Sequence, residues 1–574
     1  MLATDNSQLK DHYDILIIGS GYGGAITAAR LGYANSKAGG NLSIAILERG
    51  EEHTTGNFPI SSPEFAGALK TPSNPLGLFE FVISQDYGVV LGNALGGTSL
   101  VNGVICIKPD REAFDLGWPS AIRNEDGYPM EEYYNRALAM MDAVRYAEGE
   151  NLAKHNVWRK LGDAVGATGF AALNLAITKK ARITKYGVPR LPCVNCGSCI
   201  SGCNYDAKNT LDKNYLPMAK HFGVDMFTRM EVSFLQQLPD NRGYQLTVQQ
   251  RIGENGREFI ATNITAERVV LAAGCLGSTG ILLRSQAETR MRFSQHLGQH
   301  FSGNGDFFAL AYNMDEITNM EGWGVGTPQE FQIKGGPVIT SIFRVNQDKP
   351  IQERVIFEEA SMPAPFVEAM RYLTFGAAAG QPWEFLNTGS KLKRWWADRY
   401  RNNTGALNSS LLYLGIGFDD AAGQIILDDK GNPSIVWPNA ADDPVFQRQI
   451  PITIKATKAL GGNQFPNPLN IFNINLPPNL PLNRLPLTGH PIGGCATADN
   501  VNGGVVDDKG RVFRPDGEVY NGLYVIDGSV FPNALGVNVL LTISAFAERA
   551  SEFMRDELGL PGFNKDEEWD DYID

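Results

Sequence analysis

The sequence predicts an α/β fold that begins with a Rossmann-like nucleotide-binding unit. Residues 13–18 read YDILII, a short apolar run typical of a buried parallel strand. GSGYGG follows directly, with Gly19, Gly21 and Gly24 in GxGxxG spacing, and AITAARLGYA then places small and apolar residues at helical spacing. A second strand, LSIAILERG, ends in Glu48.

Each glycine has its own expected role in this turn. Gly19 would make the tight turn, Gly21 would let a pyrophosphate approach the backbone, and Gly24 would let the helix pack against the strand. The free N–H groups of the helix N-terminus would then face the phosphates. Glu48 would accept hydrogen bonds from ribose hydroxyls. The alternative is an unliganded α/β unit with a glycine turn.

Length and composition indicate a multidomain globular enzyme. The chain has 574 residues, too many for one ordinary core, with 43% hydrophobic and 20% charged residues. A net charge of −13 without a basic face argues against nucleic acid as a partner. The N-terminus resembles no secretory signal and no apolar run could span a bilayer, so we expect a cytoplasmic protein. The acidic end, residues 564–574, is expected to be a solvated tail.

Two further glycine-rich segments favour FAD over NAD. One is LGNALGGTSLVNG, residues 91–103, and the other contains the strand LYVIDG, which ends in Asp527 and Gly528. The sequence shows no second GxGxxG between a strand and a helix, so no separate NADPH domain is expected. Both segments could also be plain turns.

In these residues the chain resembles the glucose–methanol–choline (GMC) oxidoreductase family, and within it the bacterial cholesterol oxidase-like branch. The resemblance is strong at residues 14–50, 91–102, 268–283 and from 487 onward, and weak at about 310–480. It implies a Rossmann-like FAD-binding domain intertwined with an α+β substrate domain that carries a mixed or antiparallel sheet. We expect the FAD domain to contain residues 1–115, 200–310 and 485–574. The substrate domain would contain 116–199 and 311–484.

The resemblance also implies a set of cofactor contacts. The segment that includes Gly96 resembles the family's loop against the pyrophosphate and flavin ring, and Val232 resembles the residue that holds the adenine through its backbone. Asp527 and Gly528 resemble the pair at the ribityl chain. The expected FAD-binding residues are Gly19, Gly21, Tyr22, Gly23, Gly24, Glu48, Gly96, Gly97, Ser99, Asn102, Gly103, Val232, Asp527, Gly528 and Asn538.

His490 and Asn538 are the expected reacting pair. His490 lies in LTGHPIGGC, where two following glycines permit close backbone approach, and it resembles the family's active-site histidine. A neutral imidazole can accept the hydroxyl proton of an alcohol or anchor that hydroxyl while hydride passes to flavin N5. Asn538, in GVNVLLTISA, would position the substrate oxygen, because an amide cannot act as the base.

Glu358 is a third catalytic candidate. Cholesterol oxidases carry a glutamate four residues before a Met-Pro-Ala, and Glu358 stands in that relation to Met362. There the glutamate moves a proton during double-bond isomerisation. Glu359 is its rival: if the segment is a strand, only one of the two side chains faces the pocket. A solvated acidic pair is the plain alternative.

Four cysteines crowd into CVNCGSCISGC. Cys193, Cys196, Cys199 and Cys203 have the C-x2-C-x2-C-x3-C spacing of bacterial ferredoxins, although Asn204 replaces the usual proline. Thiolates so placed could hold an iron–sulfur cluster or zinc. We expect free thiols or a disulfide instead, and no metal. Cys106, Cys275 and Cys495 are expected to be small core residues.

Residues 362–396 combine apolar and aromatic residues with Lys391, Lys393, Arg394, Trp395 and Trp396. This mixture suits either a covering helix of the substrate domain, which we favour, or peripheral contact with a membrane.

The sequence therefore predicts FAD-dependent oxidation of a small-molecule substrate, a bulky apolar alcohol that is sterol- or isoprenoid-like. Oxygen or another acceptor would take the electrons. Two other functions stay open: an isomerase or lyase without net redox change, and an electron-transfer flavoprotein that uses the cysteine cluster.

Overall fold

A computed structural model describes residues 1–124, 130–146, 152–323, 335–379, 389–399, 404–466 and 485–563. The expected acidic tail at 564–574 lies outside the described residues. Residues 380–388 of the segment 362–396, in which a covering helix was expected, also lie outside them.

The helices are α1 (Tyr22–Lys37), α2 (Ser62–Gly67), α3 (Ser120–Arg123), α4 (Met130–Met140), α5 (Ala153–Val165), α6 (Tyr215–His221), α7 (Gly274–Glu288), α8 (Ala364–Ala379), α9 (Gly389–Asp398), α10 (Pro444–Ala459) and α11 (Leu540–Glu557). The strands are β1 (His12–Ile18), β2 (Ile44–Leu47), β3 (Phe79–Ile83), β4 (Gly88–Gly92), β5 (Val144–Arg145), β6 (Thr168–Ala172), β7 (Asn174–Leu175), β8 (Arg182–Ile183), β9 (Pro189–Arg190), β10 (Asp225–Phe227), β11 (Met230–Gln237), β12 (Tyr244–Ile252), β13 (Glu258–Leu271), β14 (Phe307–Tyr312), β15 (Ile339–Val345), β16 (Val355–Ala360), β17 (Leu411–Gly417), β18 (Gln424–Leu427), β19 (Pro433–Val436), β20 (Asn463–Pro466), β21 (Leu487–Thr488), β22 (Arg511–Phe513) and β23 (Val519–Val525).

The first large sheet has the order β10-β2-β1-β13-β12-β11, with β23 joined to β13 and β22 joined to β23. β1 pairs in parallel with β2 and β13, and β23 continues the parallel part, whereas β11, β12 and β13 run antiparallel. The residues of β2 and the last four of β1 are buried. Such apolar strands follow from a sheet covered on both faces. The prediction of an α/β fold with a Rossmann-like unit is confirmed.

α1 and α11 pack together on this sheet. A buried ion pair joins Arg30 of α1 to Glu548 of α11, with Nε and Oε2 2.7 Å apart, and the hydroxyl of Tyr215 donates to Glu548 Oε1 at 2.7 Å. A Cβ on Gly24 would overlap the carbonyl oxygen of Gly19, and one on Gly23 would overlap that of Ile526. These glycines therefore allow α1 to lie against the turn and against the segment after β23.

The second large sheet has six strands in the order β20-β14-β17-β16-β15-β6. Every pairing in it is antiparallel, in agreement with the expected substrate-domain sheet. The strand pair β18 and β19 forms a separate hairpin rather than part of this sheet.

The expected domain boundaries do not coincide with the places where the chain passes from one sheet to the other. β14 begins at Phe307 in the second sheet, so the expected boundary at residue 310 falls inside a strand. α4, on the other side of the expected boundary at residue 115, packs against α11 through a 3.0 Å contact between the hydroxyls of Tyr134 and Thr542. The domain boundaries stay a prediction.

Candidate active site

A deep cavity runs along the carboxyl ends of β1, β2 and β13. It contains about 1410 Å³ of space free of protein atoms, including open solvent at its mouth. Ligands bind at this edge of open α/β sheets, where loops leave the strands. Of the expected cofactor residues, the cavity is lined by Gly19, Gly21, Tyr22, Gly23, Glu48, Gly97, Asn102, Gly103, Val232, Asp527, Gly528 and Asn538.

The glycine loop leaves room for a phosphate group. A Cβ on Gly21 would meet nothing within 4 Å, and no side chain caps the N-terminus of α1, which starts at the next residue. Gly19 adopts a φ of +95°, which only glycine tolerates easily, so the turn is as tight as expected. A Cβ on Gly97 would come within 3.0 Å of the Cα of Gly21. The two glycine loops are therefore in close contact, and the open space beside Gly21 is where a pyrophosphate would fit.

Glu48 lies at the end of β2, beside the same loop. Its Oε2 accepts from the Ser20 amide at 3.0 Å and the Ser20 hydroxyl at 2.6 Å, and its Oε1 accepts from the Gly50 amide at 2.9 Å. The carboxylate is thus held rigidly, and its remaining acceptor capacity faces the cavity. Val232 lies at the same end of the cavity, immediately before an irregularity in the pairing of β11 with β12.

Asn102 and Tyr22 face each other inside the cavity. Asn102 Nδ2 donates to the hydroxyl oxygen of Tyr22 at 2.8 Å, and Oδ1 accepts from the Val104 amide at 3.2 Å. The bond links the second glycine loop to the first turn of α1, so both loops keep a fixed separation.

Three expected cofactor residues lie behind the cavity wall. Gly24 packs inside the turn, and neither Gly96 nor Ser99 lines the cavity. The hydroxyl of Ser99 is buried, donates to the Gly96 carbonyl at 2.6 Å and accepts from the Leu211 amide at 3.2 Å. These residues shape the loop that Gly97 presents.

Asp527 fastens two loops at the cavity edge. Its Oδ2 accepts from the Gly274 amide at 2.9 Å and the Ser278 hydroxyl at 2.5 Å, and its Oδ1 accepts from the Ser529 amide and hydroxyl at 2.9 and 2.5 Å. With four protein donors on one carboxylate, Asp527 shapes the site, and the adjacent backbone of Gly528 forms the surface.

His490 is oriented by a buried aspartate. Its Nδ1 lies 2.9 Å from Oδ1 of Asp306, whose Oδ2 accepts from the Thr488 hydroxyl at 2.8 Å and the Gly489 amide at 3.0 Å. Burial opposes a charge on the ring, but the charge of Asp306 and this hydrogen bond outweigh it and raise the pKa of His490. Nδ1 therefore carries a proton, and Nε2 is the atom that can accept one.

Asn538 and Glu358 complete the group. Asn538 Nδ2 lies 3.3 Å from His490 Nε2 and 3.3 Å from Glu358 Oε2. Within the described part of the chain, Asn538 Oδ1 and Glu358 Oε1 are buried without a hydrogen-bond partner. Burial raises the pKa of Glu358 to about 8, against the opposing influence of His490 and Asn538. The structure thus brings the three predicted catalytic residues together.

Glu358 and Glu359 point to opposite faces of β16. Glu359 accepts from the amide of Thr340 at 3.1 Å and the hydroxyl of Ser341 at 3.1 Å, and its Oε2 lies 3.2 Å from Lys154 Nζ. Both glutamates are fully buried, so the alternative of a solvated acidic pair is wrong. Strand alternation places only Glu358 with His490.

Asp306 was missed by sequence reasoning. It directly precedes β14 and is separated from His490 by 184 residues, so no local pattern joins them. A usable signal existed: Asp306 is a lone acid between the glycine-containing turn GNG and the apolar run FFALAY. A carboxylate at the start of a largely buried strand needs a partner.

The four clustered cysteines are free thiols, as are Cys106, Cys275 and Cys495, which are buried as expected. Burial raises the pKa of the Cys196 thiol to about 12, so it stays protonated. Among the described residues, three metal-ligating atoms lie within 4.8 Å of one another only at His12, Asp14 and Glu267, of which two are exposed and one is half-buried. The expectation that the cysteine segment holds no metal stays a prediction.

The arrangement provides a proton acceptor, an amide donor and a protonated carboxyl beside a nucleotide-shaped cavity. The GMC oxidoreductase N-terminal family model matches residues 13–302, and the C-terminal model of the same family matches residues 480–547.

Similar proteins include a cholesterol oxidase from Acinetobacter baumannii, 27% identical over 94% of both chains. A long-chain-alcohol oxidase from Arabidopsis thaliana is 24% identical over 95% of this chain and 67% of its own length. Among solved structures, a fungal aryl-alcohol oxidase matches with a TM-score of 0.59 and 14% identity, covering 96% of this chain and 100% of its own. This last likeness shows the fold.

No helix among the described residues is both long and apolar enough to cross a bilayer. Because both the N-terminal and the C-terminal family models match, the chain belongs to the GMC oxidoreductase family. The members of this family are FAD-dependent enzymes that act on CH–OH groups.

Proposed function

We propose that the protein oxidises a bulky apolar alcohol, sterol- or isoprenoid-like, to the carbonyl compound with FAD as cofactor. The observation that carries the proposal is the 2.9 Å contact between Asp306 Oδ1 and His490 Nδ1. This contact orients the imidazole so that its unprotonated Nε2 lies beside Asn538.

The cavity residues fit FAD. The open space at Gly21, the uncapped N-terminus of α1 and the carboxylate of Glu48 suit the diphosphate and a ribose. Gly103, Gly528 and Asn538 line the same cavity beside His490, where the reacting end of the cofactor would be held. When bound, FAD supplies the hydride acceptor, and oxygen or another acceptor later takes the electrons.

His490 would remove the proton of the substrate hydroxyl. Nε2 accepts it, the ring becomes positively charged, and Asp306 stabilises that charge through Nδ1–H. Because Asp306 is fully buried and held by Thr488 and Gly489, it orients the ring without rearranging.

Asn538 would hold the substrate oxygen and Glu358 would serve a separate step. The Nδ2 donor of Asn538 lies between His490 and Glu358, and its buried Oδ1 has no hydrogen-bond partner in the part of the chain that the structure describes. With a pKa of about 8, Glu358 holds a proton at neutral pH and does not compete with His490 as the base. In its ionised form, Glu358 would take a proton from one carbon and return it to another in an isomerisation that follows oxidation of an unsaturated substrate.

The substrate class is supported by relatives. Those most similar over nearly the whole chain include cholesterol oxidases, and others are long-chain-alcohol oxidases. Both names describe alcohols with large apolar bodies.

A second candidate is a flavoprotein isomerase without net redox change. It is favoured by Oε1 of Glu358, which is buried without a hydrogen-bond partner among the described residues and which an acid–base step on carbon would use.

An anaerobic screen of apolar alcohols with the purified holoprotein tests the two against each other. Alcohol oxidation predicts that at least one substrate bleaches the flavin absorbance with formation of the carbonyl product. Conversion of an unsaturated ketone without bleaching, together with no bleaching by any alcohol, would favour the isomerase.

A further inference from the structure

The outward face of α8 and α9 leaves large apolar side chains in solvent. Tyr372 is 60% exposed, Leu392 44% and Trp396 45%. Leu392 and Trp396 are four residues apart and therefore project from the same side of α9.

Cationic side chains flank these apolar groups. Lys393 and Arg399 are exposed, and the Arg399 guanidinium lies 5.5 Å from the ring centre of Trp396. The one acid of α9, Asp398, is buried and accepts from the Tyr312 hydroxyl at 3.3 Å. The α9 part of this face is thus locally positive, on a chain whose net charge is −13; on α8, Glu368 stands four residues before Tyr372 and has an interaction of its own.

Nearby acids on the neighbouring loop already have partners. Asp315 Oδ1 lies 3.2 Å from Lys391 Nζ, and Glu316 Oε1 lies 2.6 Å from Lys160 Nζ. Neither carboxylate therefore cancels the charge of Lys393 or Arg399.

The opposite side of α9 anchors it to the protein. The Trp395 ring stacks on Phe375 with centroids 4.4 Å apart, and its Nε1 donates to the Phe375 carbonyl at 3.2 Å. Arg394 donates to Asn313 Oδ1 at 3.0 Å and to the Met314 carbonyl at 2.8 Å. The inward residues account for the packing of the helix, so the outward ones are free for another contact. Both roles considered for this segment are therefore compatible, one on each side of α9.

We propose that this face, Tyr372, Leu392, Lys393, Trp396 and Arg399, docks on a lipid bilayer that contains anionic lipids. Tryptophan and tyrosine prefer the interface between headgroups and acyl chains, and leucine adds apolar area just beneath it. Lysine and arginine beside them are attracted to anionic headgroups. The net negative charge of the rest of the chain is repelled by such a surface, which orients the protein with this face down.

The membrane-binding face is close along the chain to the candidate active site. α8 begins four residues after Ala360, the last residue of the strand that carries Glu358. A bilayer bound at this face would therefore contact the helix that follows the strand carrying Glu358. The binding proposal does not depend on the proposed chemistry, because it is measured without substrate.

Co-sedimentation of the full-length holoprotein with vesicles tests the proposal. We expect binding to vesicles of phosphatidylcholine and phosphatidylserine, little binding to phosphatidylcholine alone, and weaker binding as salt is raised. Brominated acyl chains should quench tryptophan fluorescence in the parent, and Trp396→Ser should lose most of that quenching.

Paired variants separate the two contributions. Lys393→Glu with Arg399→Glu should weaken binding to the anionic vesicles by about tenfold or more, and Leu392→Ser with Trp396→Ser should weaken it comparably. The matched control is Phe259→Ser with Ile260→Ser, which removes apolar side chains that are 50% and 54% exposed on β13. The proposal fails if the parent ignores anionic vesicles or if the control loses as much binding as the α9 variants. It also fails if the α9 variants abolish a concentration-dependent dimer instead of vesicle binding, since the face would then bind a second copy.

Discussion

Asp306 Oδ1 lies 2.9 Å from His490 Nδ1, and the side chain of this aspartate is fully buried. The aspartate comes from the start of a strand in the antiparallel sheet, whereas the histidine comes from the turn after β21. The proton-accepting atom of the candidate site is therefore defined by contact between two parts of the chain.

Asp306→Asn tests this relationship. Removal of the negative charge should lower the pKa of His490, because burial already lowers that pKa and the charge of Asp306 is the largest of the effects that together raise it. Neutral His490 is the acceptor, so the rate of flavin reduction should rise with pH through this pKa, and the rise should move to lower pH. The maximal rate should fall by about 10- to 100-fold, since the positive ring loses its partner. Stopped-flow measurements across pH provide both values. Asp398→Asn, in α9, is the control that should change neither.

His490→Ala should reduce the rate of flavin reduction by about 100- to 10,000-fold while substrate affinity changes little. A base acts mainly in the transition state, so the loss appears in the chemical step. Asn538→Ala should cost less, because water can replace part of the positioning. Equal reduction rates in parent and His490→Ala would remove His490 from its role.

Glu358→Gln should make stability less dependent on pH. The folded-state pKa of about 8 lies above the ordinary value of 4.5, so between these values the unfolded chain releases a proton that the folded protein keeps. Stability contributed by Glu358 therefore falls as pH rises through this window. The variant should gain stability relative to the parent near pH 9, on the order of a few kcal/mol, and little near pH 4. Thermal unfolding at both pH values measures the difference.

The exposed Glu254→Gln is the matched control and should show no such pH-dependent gain. Glu358→Gln should also spare flavin reduction. A reduction rate that fell with Glu358→Gln but not with His490→Ala would make Glu358 the base.

Glu48→Gln should weaken FAD retention. The variant keeps the shape of the side chain but loses the charge that a ribose hydroxyl would contact, which should cost on the order of 1–3 kcal/mol. Quenching of FAD fluorescence on titration with apoprotein measures the affinity. Glu52→Gln, whose carboxylate binds the amides of Leu2 and Ala3, is a control away from the cavity. Unchanged FAD affinity in Glu48→Gln would place Glu48 away from the ribose.

Replacement of Cys193, Cys196, Cys199 and Cys203 together by serine should leave substrate-driven flavin reduction intact. The thiols are free in the structure and none of the four lines the cavity. Iron, sulfide and zinc analysis of the parent accompanies the kinetics. Stoichiometric iron and sulfide that disappear in the variant would contradict the expectation.

Local patterns predicted the nucleotide-binding part well. The strand, turn and helix around Gly19 and Gly24 depend on contacts between neighbours in sequence. The GxGxxG spacing was therefore enough to predict this unit. A local pattern also applied to Glu358 and Glu359: because side chains alternate along a strand, only one of the two was expected to reach the pocket. Which one did so depends on the register of β16 against β17, which a single strand does not encode.

Long-range contacts escaped prediction. Asp306 acts through a residue 184 positions away, and Asp527 is occupied by donors from α7, which the glycine-rich sequence around it does not reveal. The family resemblance implied that Ser99 contacts the cofactor; in the structure it lies in a 3₁₀ turn and its hydroxyl donates to the Gly96 carbonyl.

The origin of Asp306, Glu358, His490 and Asn538 in separate segments has a consequence for biosynthesis. Asn538 is the last of the four to leave the ribosome, and it lies two residues before the start of helix α11. A nascent chain that ends before residue 490 contains the first glycine loop but lacks the histidine, the asparagine and the part of the cavity that Asp527 and Gly528 line. We therefore expect the candidate active site to form only after residue 538 has been synthesised, and products truncated before His490 should have an incomplete cofactor cavity without the reacting pair.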